Sequence, residues 1–171
     1  VNVLALDLGT KTGWATRVGS VMTSGVQVFD VKRGESPGMR YLRFNRWLDE
    51  VNRLSLGRSF NLVVYEQTHH RGGAATEVAA GFATRVQEFC AEWEIEHAAV
   101  HSATLKKFAT GSGRGDKFAM TESAIARGWL GKREYDDNEV DAVCLLRYAL
   151  AELLPKAAGT PVEGAKETPH V

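Results

Sequence analysis

Three groups of acidic residues in this 171-residue chain are placed where side chains can do chemistry. Asp7 ends the apolar run Val3-Leu4-Ala5-Leu6, and Glu66 ends the run Leu62-Val63-Val64-Tyr65. Asp136, Asp137, Glu139 and Asp141 cluster ahead of a long apolar stretch near the carboxyl end. A carboxylate at the end of a buried strand sits where core gives way to solvent, and the sheet fixes its position. Carboxylates that converge on one point repel and must be neutralised. Hard divalent cations with oxygen ligands do this, and Mg²⁺ keeps coordination positions open for phosphate oxygens. Two such ions ~4 Å apart activate a water and stabilise the leaving oxygen of a phosphodiester. Plainer readings exist for the same residues: Asp7 can simply open a turn, and Asp136 and Asp137 suit a helix N-terminus. Asp141, beyond the first turn and among apolar residues, fits that second reading less well.

Basic residues complete the pattern. Between His101 and Arg133 there are seven (Lys106, Lys107, Arg114, Lys117, Arg127, Lys132, Arg133) against two acids, Asp116 and Glu122. The whole chain is neutral, with 21 Lys plus Arg and 21 Asp plus Glu. That balance counts mildly against a nucleic-acid protein, but charge is segregated along the chain. A loop after Glu66 adds His69, His70 and Arg71 beside two glycines.

The elements that must hold these groups follow from periodicity. Val3–Leu6 lacks polar alternation and predicts a strand buried on both faces. The turn Gly9–Gly13 leads to strands at Trp14–Val18 and Val21–Val31, an antiparallel meander. Met39–Leu54 carries Tyr41, Phe44, Leu48 and Val51 on one helical stripe, with Arg40, Arg43, Arg46 and Arg53 largely off it, on a face read as solvated rather than as a DNA-backbone contact. Asn61–Tyr65 is a fourth strand. A helix over Thr76–Glu94 repeats Ala79, Phe82, Val86, Phe89 and Trp93 at heptad-like spacing. That seam suits packing on the sheet or, in part, a dimer contact. Glu96–His101 reads as a fifth strand, and Ser102–Ala109 as a short helix with Lys106 and Lys107. A flexible turn holds Arg114, and a helix over Asp116–Arg127 carries Lys117 in its first turn. The last helix, Asp136–Leu154, brings Asp137 and Asn138 onto a face with Asp141 by four- and three-residue spacing. One domain over residues 1–154 is expected, followed by a disordered, Pro-containing tail over 155–171. Cys90 and Cys144 suit buried thiols in a reducing compartment. No zinc-type spacing, signal peptide or membrane span is visible, and a cytoplasmic location is expected.

Four stretches carry a family resemblance: L-A-L-D-L-G-T-K-T-G-W-A, V-V-Y-E-Q, S-A-T-L-K-K-F-A-T-G-S-G-R-G-D-K and D-D-N-E-V-D-A-V-C-L-L. In this order and spacing they resemble the RuvC-type Holliday junction resolvases, particularly bacteriophage versions, within the RNase H-like nuclease superfamily. The resemblance implies an α/β, RNase H-like fold with a mixed five-stranded sheet flanked by helices. It implies a homodimer built around the second helix, acting on four-way or other branched DNA in a bacterial or phage-infected host cytoplasm. The implied activity is paired nicking by a crossover junction endodeoxyribonuclease with two Mg²⁺ ions per site, Mn²⁺ substituting. Carried over, the metal ligands are Asp7, Glu66 and Asp141, and Lys106, Lys107 and Lys117 stand near the scissile strand, Lys117 as a catalytic residue. The family's fourth ligand, Asp or His, is Asn138 here, with Asp137 as a substitute. The family's aromatic wedge after the Glu is replaced by His69 and His70. His69, His70, Arg71 and Arg114 are expected as further DNA contacts. Rival readings are a broader flap or fork nuclease, a catalytically weakened branched-DNA-binding protein, and an actin-like phosphotransferase suggested by D-L-G-T at Asp7–Thr10.

Overall fold

A computed structural model describes residues 1–55, 60–67 and 73–154, without the side chain of Leu54. His69, His70, Arg71 and the expected tail lie outside the described residues. The strands are β1 (Val3–Asp7), β2 (Lys11–Val18), β3 (Val21–Val28), β4 (Leu62–Glu66) and β5 (Glu96–Val100). The helices are α1 (Met39–Leu54), α2 (Ala74–Glu92), α3 (Ser102–Thr110), α4 (Lys117–Ala126) and α5 (Asp137–Tyr148), and α5 runs on as a π-helical turn, Ala149–Leu153.

The five strands form one mixed sheet in the order β3-β2-β1-β4-β5. β1 pairs antiparallel with β2 and parallel with β4, and β4 pairs parallel with β5. Val3 to Leu6 have no exposure at all, as a central strand covered on both faces requires. Alternation assigns the faces. Val3, Ala5, Leu62 and Val64 join the residues of α3, α4 and α5 in one core. Leu4, Leu6, Val63 and Tyr65 join those of α1 and α2 in the other. Burying each such Leu or Val contributes roughly 1.5–3 kcal/mol, so both layers are strongly held.

α5 lies unusually close to the sheet because the residues beneath it are small. Ala5 and Ala15 are cross-strand partners, and Gly13 is the partner of Asp7. A Cβ on Gly13 would stand 1.8 Å from the backbone carbonyl oxygen of Asn138. Gly13 is therefore a packing residue inside β2, not part of the expected turn, and β2 begins at Lys11 rather than Trp14. β3 likewise stops at Val28, since Phe29 turns into the core against Phe44 and Trp47.

The α2 seam also needs correction. Phe82 and Phe89 are buried, Phe82 edge-on to Phe44 with ring centroids 4.9 Å apart. They belong to the protein's own core, and of that expected dimer surface only Trp93 is exposed. The arginines of α1 are not uniformly solvated either: Arg43 donates to Glu35 and to the carbonyl of Asp30, both at 2.8 Å. Cys90 and Cys144 are free and buried, and burial pushes both thiols up to about 12.

Candidate active site

β1, β4 and β5 are parallel, so their carboxyl ends open on the same edge of the sheet, where ligands bind in open α/β folds. Asp7 and Glu66 each follow the paired residues Leu6 and Tyr65 by one position. They share the parity of Ala5 and Val64, which places them side by side on the α5 face. α5 supplies Asp141 above them. Its entry is fixed by the side chain of Asp136, which caps the helix by accepting from the backbone N–H of Asn138 at 3.1 Å. Asp136 also takes an ion pair from Lys11 at the start of β2, and that bond holds its carboxyl below the usual range.

The three carboxylates act on one another. Burial, then the charges of Asp141 and Glu66, push Asp7 up to about 8 from an ordinary 3.8. Burial, then Glu66, push Asp141 up to about 6, while Lys106 and Lys117 pull the other way. No hydrogen bond from a described residue relieves Asp7 or Asp141. This contrasts with Asp137, whose carboxylate accepts from Lys117 Nζ at 2.7 Å. Lys117 is raised by that bond and lies in the field of Asp141 and Asp136 as well.

The donor set suits a hard divalent cation: half-buried carboxylate oxygens, with burial and then mutual repulsion raising Asp7. Among the described residues no three His, Cys, Asp or Glu side chains are drawn together round a single point. The carboxylates instead stand at Coulombic range, and a cation would offset the repulsion between them. Around them Lys106 is half-buried on α3, within the field of Asp141. Lys107 is exposed one residue on, and Arg114 is exposed in the loop before α4. Asn138 is half-buried with its backbone carbonyl against Gly13.

Two supports were not legible beforehand. Lys11 reaches Asp136 across 125 residues of sequence. Glu139, only 4% exposed, accepts from Ser24 Oγ and from Arg133, each at 2.7 Å, and so ties the start of α5 to β3 and to the preceding loop. Arg133 in turn lies 3.7 Å over the ring of Tyr135. A charged residue amid the α5 apolar period was the only local signal for Glu139, and nothing local marks its partners.

Sheet order, strand directions and the placing of helices on both faces define an RNase H-like α/β fold of the RuvC type. RuvC of Thermus thermophilus superposes with a TM-score of 0.66 at 17% identity, over 88% of this chain and 96% of that one. T. thermophilus RuvC in complex with a Holliday junction substrate superposes with a TM-score of 0.68 at 18% identity, over 84% and 89%. A ROK hexokinase from the same organism aligns at a TM-score of only 0.38, 15% identity, over 68% and 40%, too low to bear on the fold. No protein-family model matches the chain, and no curated protein matches it in sequence. None of the described helices is long and apolar enough to cross a membrane.

Proposed function

We propose that this chain is a metal-dependent endonuclease that resolves Holliday junctions and related branched DNA by paired nicking. The observation that supports the reading is that Asp7, Glu66 and Asp141 lie in one another's electrostatic field at the carboxyl edge of a RuvC-type sheet, with Asp7 raised to about 8 by burial and those two charges. Asp7, Glu66 and Asp141 would hold Mg²⁺, or Mn²⁺ in its place, with Asn138 giving an uncharged fourth ligand. Two bound ions would supply a Lewis acid that activates water and stabilises the leaving oxygen of a phosphodiester.

The chain's own groups do the rest. β1 and β4 hold Asp7 and Glu66 in adjacent registers, so their spacing does not depend on a loop. Lys117 and Lys106 offset negative charge at the acidic centre and suit a scissile phosphate there. Lys107 and Arg114, exposed on α3 and the following loop, suit the flanking backbone. A four-way junction presents two equivalent strands, and a twofold homodimer would present two equivalent sites. The test is to incubate the protein and Mg²⁺ with end-labelled four-way, forked and linear duplex DNA and map the cuts. Symmetrically paired nicks in the four-way junction are expected, with slower cutting of the fork and none of the linear duplex. Cutting of forks and flaps at equal rates would widen the activity to branched DNA in general, and absence of metal-dependent cutting on every substrate would overturn it.

A further inference from the structure

Among the aromatic residues described, Phe118 is the most exposed, at 74%, with Trp93 next at 41%. Single exposed apolar residues are ordinary on protein surfaces, so exposure alone assigns nothing. Position does. Phe118 lies in the first turn of α4, directly after Lys117, whose ammonium bonds Asp137 and sits in the field of Asp141. α4 packs through Met120 and Ala124. A step of 100° per residue sets Phe118 roughly opposite Met120, on the solvent side of α4. The other aromatics of this half of the molecule are packed together: Phe108 stacks on Trp129 at 5.6 Å and meets Tyr148 edge-on at 5.4 Å. Phe118 is left exposed, one residue along α4 from Lys117 and after Arg114 in the chain.

We infer that Phe118 is a stacking platform for an unpaired base of the strand whose phosphate lies at the carboxylates. The inference rests on the nuclease reading and adds a specificity element to it. A row of cations tracks a backbone without reading its bases. An aromatic face beside such a row captures a base that has left the duplex, whatever its identity. Phe118 therefore selects for local unpairing next to the cut, as at a branch point, and not for sequence. Its position on a helix, one residue from Lys117, couples base capture to placement of the phosphate.

The test is a cycle between protein and DNA, with binding measured on the full chain without divalent cation. Phe118→Ala is compared with wild type on a fork with an intact base beside the mapped cut and on the same fork carrying an abasic site there. Phe118→Ala should weaken binding to the intact fork roughly 10-fold, the loss of one base–aromatic stack. It should cost nothing on the abasic fork, leave the salt slope unchanged because no phosphate contact is lost, and leave Tm unchanged. Phe118→Trp should keep wild-type affinity. Equal affinities for Phe118→Ala and wild type on the intact fork, or an equal loss on both forks, would overturn the inference. In either case wild-type protein that still nicks branched DNA leaves the nuclease reading standing, whereas wild-type protein that neither binds nor cuts overturns both.

Discussion

Asp7 carries the most strongly raised carboxyl among the described residues. Its carboxyl is raised from 3.8 to about 8 in the folded protein by burial and the charges of Asp141 and Glu66. A raised folded value means that the folded state binds more protons than the unfolded one between those limits. The stability of metal-free protein should therefore fall as pH rises through that window, with Asp141 adding to the fall up to about 6. Asp7→Asn removes the larger share. In chelator, its Tm should match or slightly exceed wild type near about pH 5 and exceed it by roughly 3 °C or more near about pH 8, about 1 kcal/mol for a domain of this size. A Tm difference that does not grow with pH would show that Asp7 is not stressed. The fourth ligand is a second question at this scale. Asp137 is engaged by Lys117, while the backbone carbonyl of Asn138 lies against Gly13, the cross-strand partner of Asp7. Asn138→Asp should lower the Mg²⁺ concentration for half-maximal cleavage several-fold by adding a charge, and Asn138→Ala should raise it. If instead Asp137→Asn is as damaging as Asp141→Asn and Asn138→Ala is silent, Asp137 holds the metal.

Elements set the distance between these residues, and the seat of α5 on β2 is the critical contact. A methyl at Gly13 would meet the Asn138 carbonyl oxygen at 1.8 Å and its carbonyl carbon at 2.2 Å, both backbone atoms that no rotamer can move aside. Gly13→Ala should cost roughly 1–3 kcal/mol, as overpacking does. It should also lift Asp141 away from Asp7, so cleavage should fall further than the Tm change explains. Wild-type cleavage in Gly13→Ala would mean that α5 seats elsewhere. This contact also shows why parts of the fold were hidden. Gly13 in the run Gly-Thr-Lys-Thr-Gly reads as turn punctuation, whereas its role is a close helix–strand approach set by residues 125 positions away, a distance no local pattern reports. By contrast α1 covers the stretch its apolar stripe marks, Met39–Leu54, because length and period are both local properties. The π-helical turn after Tyr148 had no counterpart in the apolar period, which runs through it unbroken.

For the whole molecule, the central strands could be read from continuous apolar runs and the helices from apolar stripes, and the two strand-end carboxylates from the residues that follow those runs. The division of faces could not, since the heptad-like seam of α2 suits a core and an interface equally. Packing against Phe44 and Tyr41 resolves it toward the core for Phe82. The proposed dimer can use only the exposed end of that seam, where Trp93 is 41% exposed, together with surface beyond it. Sedimentation at micromolar concentration should give a dimer for wild type and monomers that no longer make paired cuts for Trp93→Glu. A monomeric wild type, with and without junction DNA, would remove the twofold arrangement. The central claim is that Asp7, Glu66 and Asp141 form one metal centre that cuts DNA. Its most direct test is the nicking of an end-labelled four-way junction in Mg²⁺ by Asp7→Asn, Glu66→Gln and Asp141→Asn, with junction binding measured in parallel. Each variant should bind the junction and leave it uncut, and near-wild-type nicking by any of the three would contradict the account.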